Sequence, residues 1–448
     1  MKEYNFDEVN NGLINFLDKS PNAFFAVENA AEMLIEAGAR ELYERDDWNI
    51  IPGRKYFVKR NDSAIIAFEI PRKDFAGFMI MASHSDSPVF KIKANAEIVV
   101  ENKYVKLNIE KYGGMLINPW FDRPLSVAGR VIIKTDEGIR TRLVDIDKDL
   151  LIIPSLAIHM DRDANQGHKI NAQTELLPLF TDAGDKEKAE NKDKNQSRLL
   201  HLIAAELGVN EEDIIDTDLY LYNRMKAAKI GLNGEYISSK GLDDLSSAYA
   251  SLKGFIDANP ENSAAVCAIF DNEEVGSGSK QGAAGTFLKD VIDRINEVFS
   301  EVSPKRRIDR SYMISADNAH AVHPNFAEKS DPTNRPYLNE GIVIKYSANQ
   351  KYTTDAVSSA IFKTILDRNE IPYQTFFNRS DMLGGSTLGN IAQSQISVKS
   401  VDIGLPQLAM HSPYETQGAK DTAYLYHAAK CAFESGLDYN NEGDIVIK

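Results

Sequence analysis

FMIMASHSD, residues 78–86, is a run of large apolar side chains that ends on His84 and, two residues later, Asp86. Its shortness, its Met, Ile and Phe content and its polar closure give a buried strand rather than a helix. Three more runs end the same way. AVCAIFDNEE (265–274) closes on Glu273 and Glu274, YMISAD (312–317) on Asp317, and LPQLAMH (405–411) on His411. In an open α/β sheet the carboxyl ends of the strands line the ligand crevice. Two histidines and several carboxylates delivered there are metal-site chemistry. GLDDLSSAYA (241–250) adds a fifth candidate, Asp243, at the head of a helix. One bridging carboxylate, with one histidine and one carboxylate for each of two metals, makes a dinuclear hydrolase site.

Outward from these strands, residues 5–19 and 26–37 have helical spacing, the second closing at Gly38. IIAFEI (65–70) reads as another strand. From about residue 96 the texture changes. AEIVVENKYVKLNIEKYGG (96–114) and GRVIIKTDEGIRTRLVDI (129–146) alternate apolar and polar residues, with Glu-Asn and Asp-Glu-Gly at hairpin turns. DAGDKEKAENKDKNQSR (182–198) is almost wholly polar and is expected to be a mobile loop. LLHLIAAELGV (199–209) then reads as a helix and DTDLYLYN (216–223) as a strand. From residue 231 onward helix-like and strand-like segments alternate, the α/β pattern. The expected organisation is an α/β domain made of residues 1–95 and 235–448, interrupted by a β-rich insertion over 96–234.

At 448 residues the chain is too long for one ordinary core. With 43% hydrophobic and 26% charged residues it has the composition of a soluble globular protein. No apolar run approaches the roughly 20 residues that span a bilayer, so no membrane partner is expected. The acidic, amphipathic start carries no signal pattern. Cys267 and Cys431 are the only cysteines and both sit in apolar segments, which argues against a disulfide framework and for a reducing cytoplasm. A net charge of −15 excludes nucleic acid as a partner, since phosphate binding needs a basic face. It also means that an acidic substrate would need a local cation in its pocket.

In HSDSP (84–88), Asp86 is placed to take the other ring N–H of a ligating His84, which fixes the tautomer. In DNEEVGSGSKQG (271–282), consecutive Glu273 and Glu274 after an apolar strand repel unless cations neutralise them. Their adjacency suits a division of labour, one ligating metal while the other accepts a proton from water. Gly276, Gly278 and Gly282 faintly suggest a phosphate cradle, but two carboxylates just before them would repel a pyrophosphate. SADNAHAVHPN (315–325) groups Asp317, His320 and His323. GGSTLGN (384–390), with Gly385 near its start, offers backbone N–H groups to a carboxylate or carbonyl oxygen.

Taken together, HSDSP, IPSLAIHM (153–160), GLDDL (241–245), DNEEVGSGSKQGA (271–283), SADNAHAVHPN, GIVIKY (341–346), GGSTLG (384–389) and LAMHS (408–412) resemble the M18 aminopeptidases, the aspartyl aminopeptidase family of metallopeptidases. The resemblance implies a three-layer α/β sheet peptidase domain of the dinuclear zinc aminopeptidase type, with an inserted β-rich domain serving oligomerisation and substrate access, and assembly into a homododecamer. It implies that His84 and Asp317 hold one metal, His411 and Glu274 the other, and that Asp243 bridges them. The two divalent ions would be Zn²⁺, with Co²⁺ or Mn²⁺ also suited to His and carboxylate ligands. Glu273 would be the general base, and His320 would contact the reacting carbonyl. Lys345 and Tyr352 would bind the acidic side chain of the peptide's first residue, and His159 would serve a neighbouring subunit's site. One departure stands out: RSDMLGGSTLGN (379–390) has Leu383, Gly384 and Asn390 where the family carries Pro-Cys-Gly and a closing Gly-Pro.

The activity so implied is removal of N-terminal residues, Asp or Glu preferred, from peptide substrates. A two-metal aminopeptidase of neutral or broad specificity stays open as an alternative. So do a deacetylase or carboxypeptidase on the same chemistry and a non-catalytic scaffold that keeps the fold.

Overall fold

The protein is described by a computed structural model covering residues 4–184 and 197–448. Most of the expected loop at 182–198 lies outside the described residues. Two compact units emerge. One comprises Met1–Ser87, Ala227–Met410 and Glu415–Lys448, and the other Pro88–Lys226 with His411–Tyr414. The breaks fall at 87/88 and 226/227 instead of near 95 and 235. The reason is local pairing. The strand Val89–Val100 is one arm of a hairpin with Tyr104–Tyr112, although its polar texture begins only midway. Ala228–Ile230 pairs with Tyr236–Ser239 in a sheet of the first unit.

The first unit is built on a nine-stranded mixed sheet. Its centre is four parallel neighbours, in the order Ala264–Phe270, Phe78–His84, Tyr312–Ala316 and Lys399–Gly404. Phe78–His84 and Ala264–Phe270 are buried along their whole length. Their side chains alternate between two cores, as the two-residue strand period requires. Met79, Met81, Cys267 and Ile269 pack with the helices Phe6–Lys19, Ala23–Glu36, Leu242–Asp257 and Asp421–Glu434. Phe78, Ile80, Val266 and Phe270 face the other way, against Phe287–Val298 and Leu388–Ala392. The result is three layers, helices on both faces of a sheet. Each fully buried Phe, Ile or Met on these strands stabilises the fold by about 1.5–3 kcal/mol. That reserve lets the sheet carry costly carboxylates at its carboxyl edge.

The second unit is an antiparallel six-stranded sheet with a core of its own, including Phe90, Trp120, Val127 and Leu221. The expected hairpins occur at Val89–Val100/Tyr104–Tyr112 and Leu125–Thr135/Gly138–Asp145. Its helix Arg198–Leu207 starts at a Ser197 side-chain cap and ends at left-handed Gly208. Among the described residues no helix is long and apolar enough to cross a membrane.

Candidate metal centre

The parallel register brings three strand ends together. Phe270 is level with His84, and Ser315, two residues before Asp317, is level with Ala82, two before His84. The chain leaving Ala264–Phe270 makes a tight turn, Glu273–Val275, flanked by left-handed Asn272 and Gly276 (φ 61° and 93°). That turn returns both glutamates to the sheet edge. Asp243 and Asp244 sit at the start of the helix Leu242–Asp257, before its backbone becomes regular. The positive end of the helix dipole favours carboxylates there.

His84 is buried, and its Nδ1–H donates to the Asp86 carbonyl at 3.0 Å, with the Asp86 carboxylate at 3.4 Å. This tautomer turns Nε2 toward Asp243, whose Oδ1 lies 3.7 Å away. Asp86 does more than was read from the sequence. Its two carboxylate oxygens accept the backbone N–H groups of Glu273 (3.1 Å) and Glu274 (3.2 Å). It therefore fixes the glutamate turn against His84.

Ligand atoms of His84, Asp243 and Asp317 all lie within 4.8 Å of one another, as do those of His84, Glu273 and Glu274. The electrostatics of this cluster call for cations. Burial pushes the pKa of Glu273 up to about 8, with the charges of Asp317, Asp86 and Asp243 adding to it. Burial, then the charge of Asp243, raises Glu274 well above the carboxylate range, and burial also raises Asp317. Burial opposes a charged imidazole at His84, yet Asp86, Asp244 and Glu273 together raise its pKa well above the usual value. A nitrogen and several hard oxygens in a dry, anionic pocket fit Zn²⁺ or a similar divalent ion.

Several supports were not assigned from the sequence. Asp244 is fully buried and accepts the His84 backbone N–H at 3.1 Å. The Asn318 amide donates to the Leu242 carbonyl (2.8 Å), Ser246 Oγ (3.0 Å) and Gln407 Oε1 (2.9 Å). Glu415 accepts the Asp243 N–H at 3.0 Å. These bonds set the spacing between the Asp243 turn and the Asp317 strand end. The doubled Asp of GLDDL was the available signal for Asp244.

The remaining candidates fall differently. Lys345 is buried, and its ammonium donates to the carbonyls of Asp317 (2.6 Å) and Asn318 (3.3 Å), with the Asp317 carboxylate at 3.5 Å. It is first a support for Asp317 and not a cation standing open to solvent. Tyr352 is buried beside it, with the ammonium 5.2 Å from the ring centroid. His320 is exposed and lines a cavity of about 310 Å³ with Phe376, Gln407 and Leu408. His323 caps a local turn by accepting the Asn325 N–H. Gly385 is exposed, with open space around it. His411 and His159 belong to the second unit. The Nδ1–H of His411 donates to the Gly114 carbonyl. His159 is exposed, between exposed Ile158 and Met160.

Fold and side chains together define a metallohydrolase of the α/β peptidase class. Residues 16–433 match the family model for the aminopeptidase I zinc metalloproteases, M18. The "Probable M18 family aminopeptidase 2" of Clostridium acetobutylicum is 47% identical over 419 residues, covering 92% of this chain and 95% of its own. That of Stutzerimonas stutzeri is 43% identical, covering 94% and 96%. Among solved structures, a chain of the Ape4–Nbr1 complex superposes with a TM-score of 0.92 at 35% identity, over 96% of this chain and 86% of that one. The S. cerevisiae mApe1 dodecamer gives 0.83 at 27%, over 96% and 97%. The chain belongs to the M18 family and is a metallo-aminopeptidase.

Proposed function

We propose that the protein is a two-metal aminopeptidase that prefers N-terminal Asp or Glu. The observation that carries this reading is the convergence of buried His84, Asp243 and Asp317 with half-buried Glu273 and Glu274 at the carboxyl edge of one sheet. His84 and Asp317 are assigned to one ion, Glu274 and His411 to the other, and Asp243 to both. Two divalent ions held there would supply Lewis-acid polarisation of the scissile carbonyl and a lowered pKa for the attacking water. Glu273 takes the proton from that water as it attacks and returns it to the leaving amine. Asp86 keeps Glu273 aimed by holding its backbone, and His320 is assigned to the carbonyl oxygen.

The acidic preference is supported by Lys345. Two of its three N–H groups are occupied by carbonyls, while the contact to the Asp317 carboxylate, at 3.5 Å, is too long for a good hydrogen bond. When Asp317 turns to a cation, that third donor is available to a substrate carboxylate beside Tyr352. Assembly into a homododecamer, as in the mApe1 dodecamer, with His159 completing a neighbour's site, belongs to the same proposal. So does cytoplasmic residence, in keeping with a sequence that carries only two cysteines, Cys267 and Cys431, both in apolar segments.

Metal-loaded protein is expected to release Asp and Glu arylamides faster than Leu or Lys arylamides. In Lys345→Met the Asp-to-Leu ratio of kcat/KM should fall by about tenfold, the value of one charge-assisted hydrogen bond. Equal loss on both substrates together with lost metal would confine Lys345 to supporting Asp317. A wild-type preference for Leu or Lys would overturn the acidic pocket while leaving the aminopeptidase intact.

A further inference from the structure

Asp402 lies in the parallel centre of the main sheet, on Lys399–Gly404, with no solvent exposure. A carboxylate in the middle of an apolar strand is costly unless donors surround it. Here the donors come from two separate loops. Its Oδ2 accepts the backbone N–H of Thr353 and the Thr353 hydroxyl (2.8 Å). Its Oδ1 accepts the Thr387 hydroxyl at 2.7 Å. The Asp402 backbone N–H donates to Thr354 Oγ1 at 2.9 Å. The Gly-rich turn is pressed onto this carboxylate, since a Cβ at Gly389 would stand 2.8 Å from Asp402 Oδ1 and 2.7 Å from Ser315 Cβ.

The other end of that turn reaches the same segment by another route. A Cβ at Gly384 would stand 2.3 Å from Asn378 Nδ2, and that amide donates to the Tyr352 hydroxyl at 3.3 Å. Tyr352 and Thr353 are therefore held from both sides by the 384–390 turn, through Asn378 at one end and Asp402 at the other. Tyr352 in turn packs beside the Lys345 ammonium. None of these bonds involves a group assigned to metal.

We propose that Asp402 is a specificity-positioning residue. Its carboxylate latches the Tyr352–Thr353 segment to the Gly-rich turn and so fixes the wall that receives the side chain of the substrate's first residue. This rests on the aminopeptidase function proposed above. A latch of this kind acts on substrate binding, so its loss is read in KM and not in kcat.

The test uses metal-loaded Thr387→Val and Thr387→Ser, assayed on Asp, Glu, Leu and Lys arylamides with metal content and melting temperature measured in parallel. In Thr387→Val, KM for the residue that the wild type prefers should rise about tenfold, the loss of one hydrogen bond to a charged group. Its kcat and metal content should stay near wild type, and Thr387→Ser should restore KM. Asp402→Asn, which keeps the shape but not the charge, should raise the same KM if it folds. A lowered melting temperature with KM unchanged in Thr387→Val would make Asp402 a purely structural residue and overturn the proposal, as would a loss confined to kcat. A wild type with no acidic preference would overturn that part of the proposed function, while the latch is still judged on whichever residue is preferred.

Discussion

Glu273→Gln is expected to lower turnover by about 100- to 10,000-fold, the usual contribution of a positioned general base. Metal content should not change, because the amide keeps the shape of the carboxylate and Glu273 is not assigned as a ligand. Glu273 is suited to the task by where it stands. Its backbone N–H is pinned by Asp86, and burial with the charge of Asp317 pushes its pKa up to about 8. Divalent ions held beside it would lower it from there, toward the range where a base can take a proton from water near neutral pH. Arylamide assays and metal analysis on the same preparation check this. Full activity in the variant would end Glu273's role.

Asp243→Ala should be as damaging for a different reason. Its carboxylate is near His84 Nε2, and its charge raises the pKa values of Glu274 and Asp317. In the proposed bridging role, loss of Asp243 should lower metal content below that of any other single carboxylate variant. Turnover should fall by about a thousandfold or more, since several kcal/mol of Lewis-acid stabilisation go with the ions. Stability separates this from simple misfolding. Without metal, Asp243 is one of several mutually repelling buried carboxylates. EDTA-stripped Asp243→Ala should therefore melt no lower than EDTA-stripped wild type, whereas wild type alone should gain stability when metal is added. A variant that keeps full metal content would remove Asp243 from the bridging position.

The strands that frame the site were legible because each combines a short, fully apolar run with an abrupt ionisable end. Phe78–His84 and Tyr312–Ala316 end within a residue of where the pattern changes. The unit boundaries were less legible. Strand Val89–Val100 runs across the expected border, with the change of texture falling inside it, because hairpin partners are set by pairing and not by local texture. Ionisable groups at strand ends announce themselves, but those that hold them in place do not. Asn318 and Glu415 look like ordinary polar residues until the fold brings the Asp243 turn beside them. Asp402 could have been suspected from SVDIGL (400–405), where one charge interrupts an apolar strand. Lys345 shows how an ionisable group's supporting contacts stay hidden. A lysine can be read from sequence as an available cation, and only the structure shows that two of its donors already hold the Asp317 and Asn318 carbonyls.

The most direct test is to titrate a divalent metal into EDTA-stripped protein while following release from an N-terminal Asp arylamide and from its N-acetylated counterpart. The two-metal aminopeptidase mechanism predicts that activity appears with metal, levels off at two equivalents per chain, and is confined to the substrate with a free amine. A plateau at one equivalent, activity without metal, or equal cleavage of the acetylated substrate would contradict it.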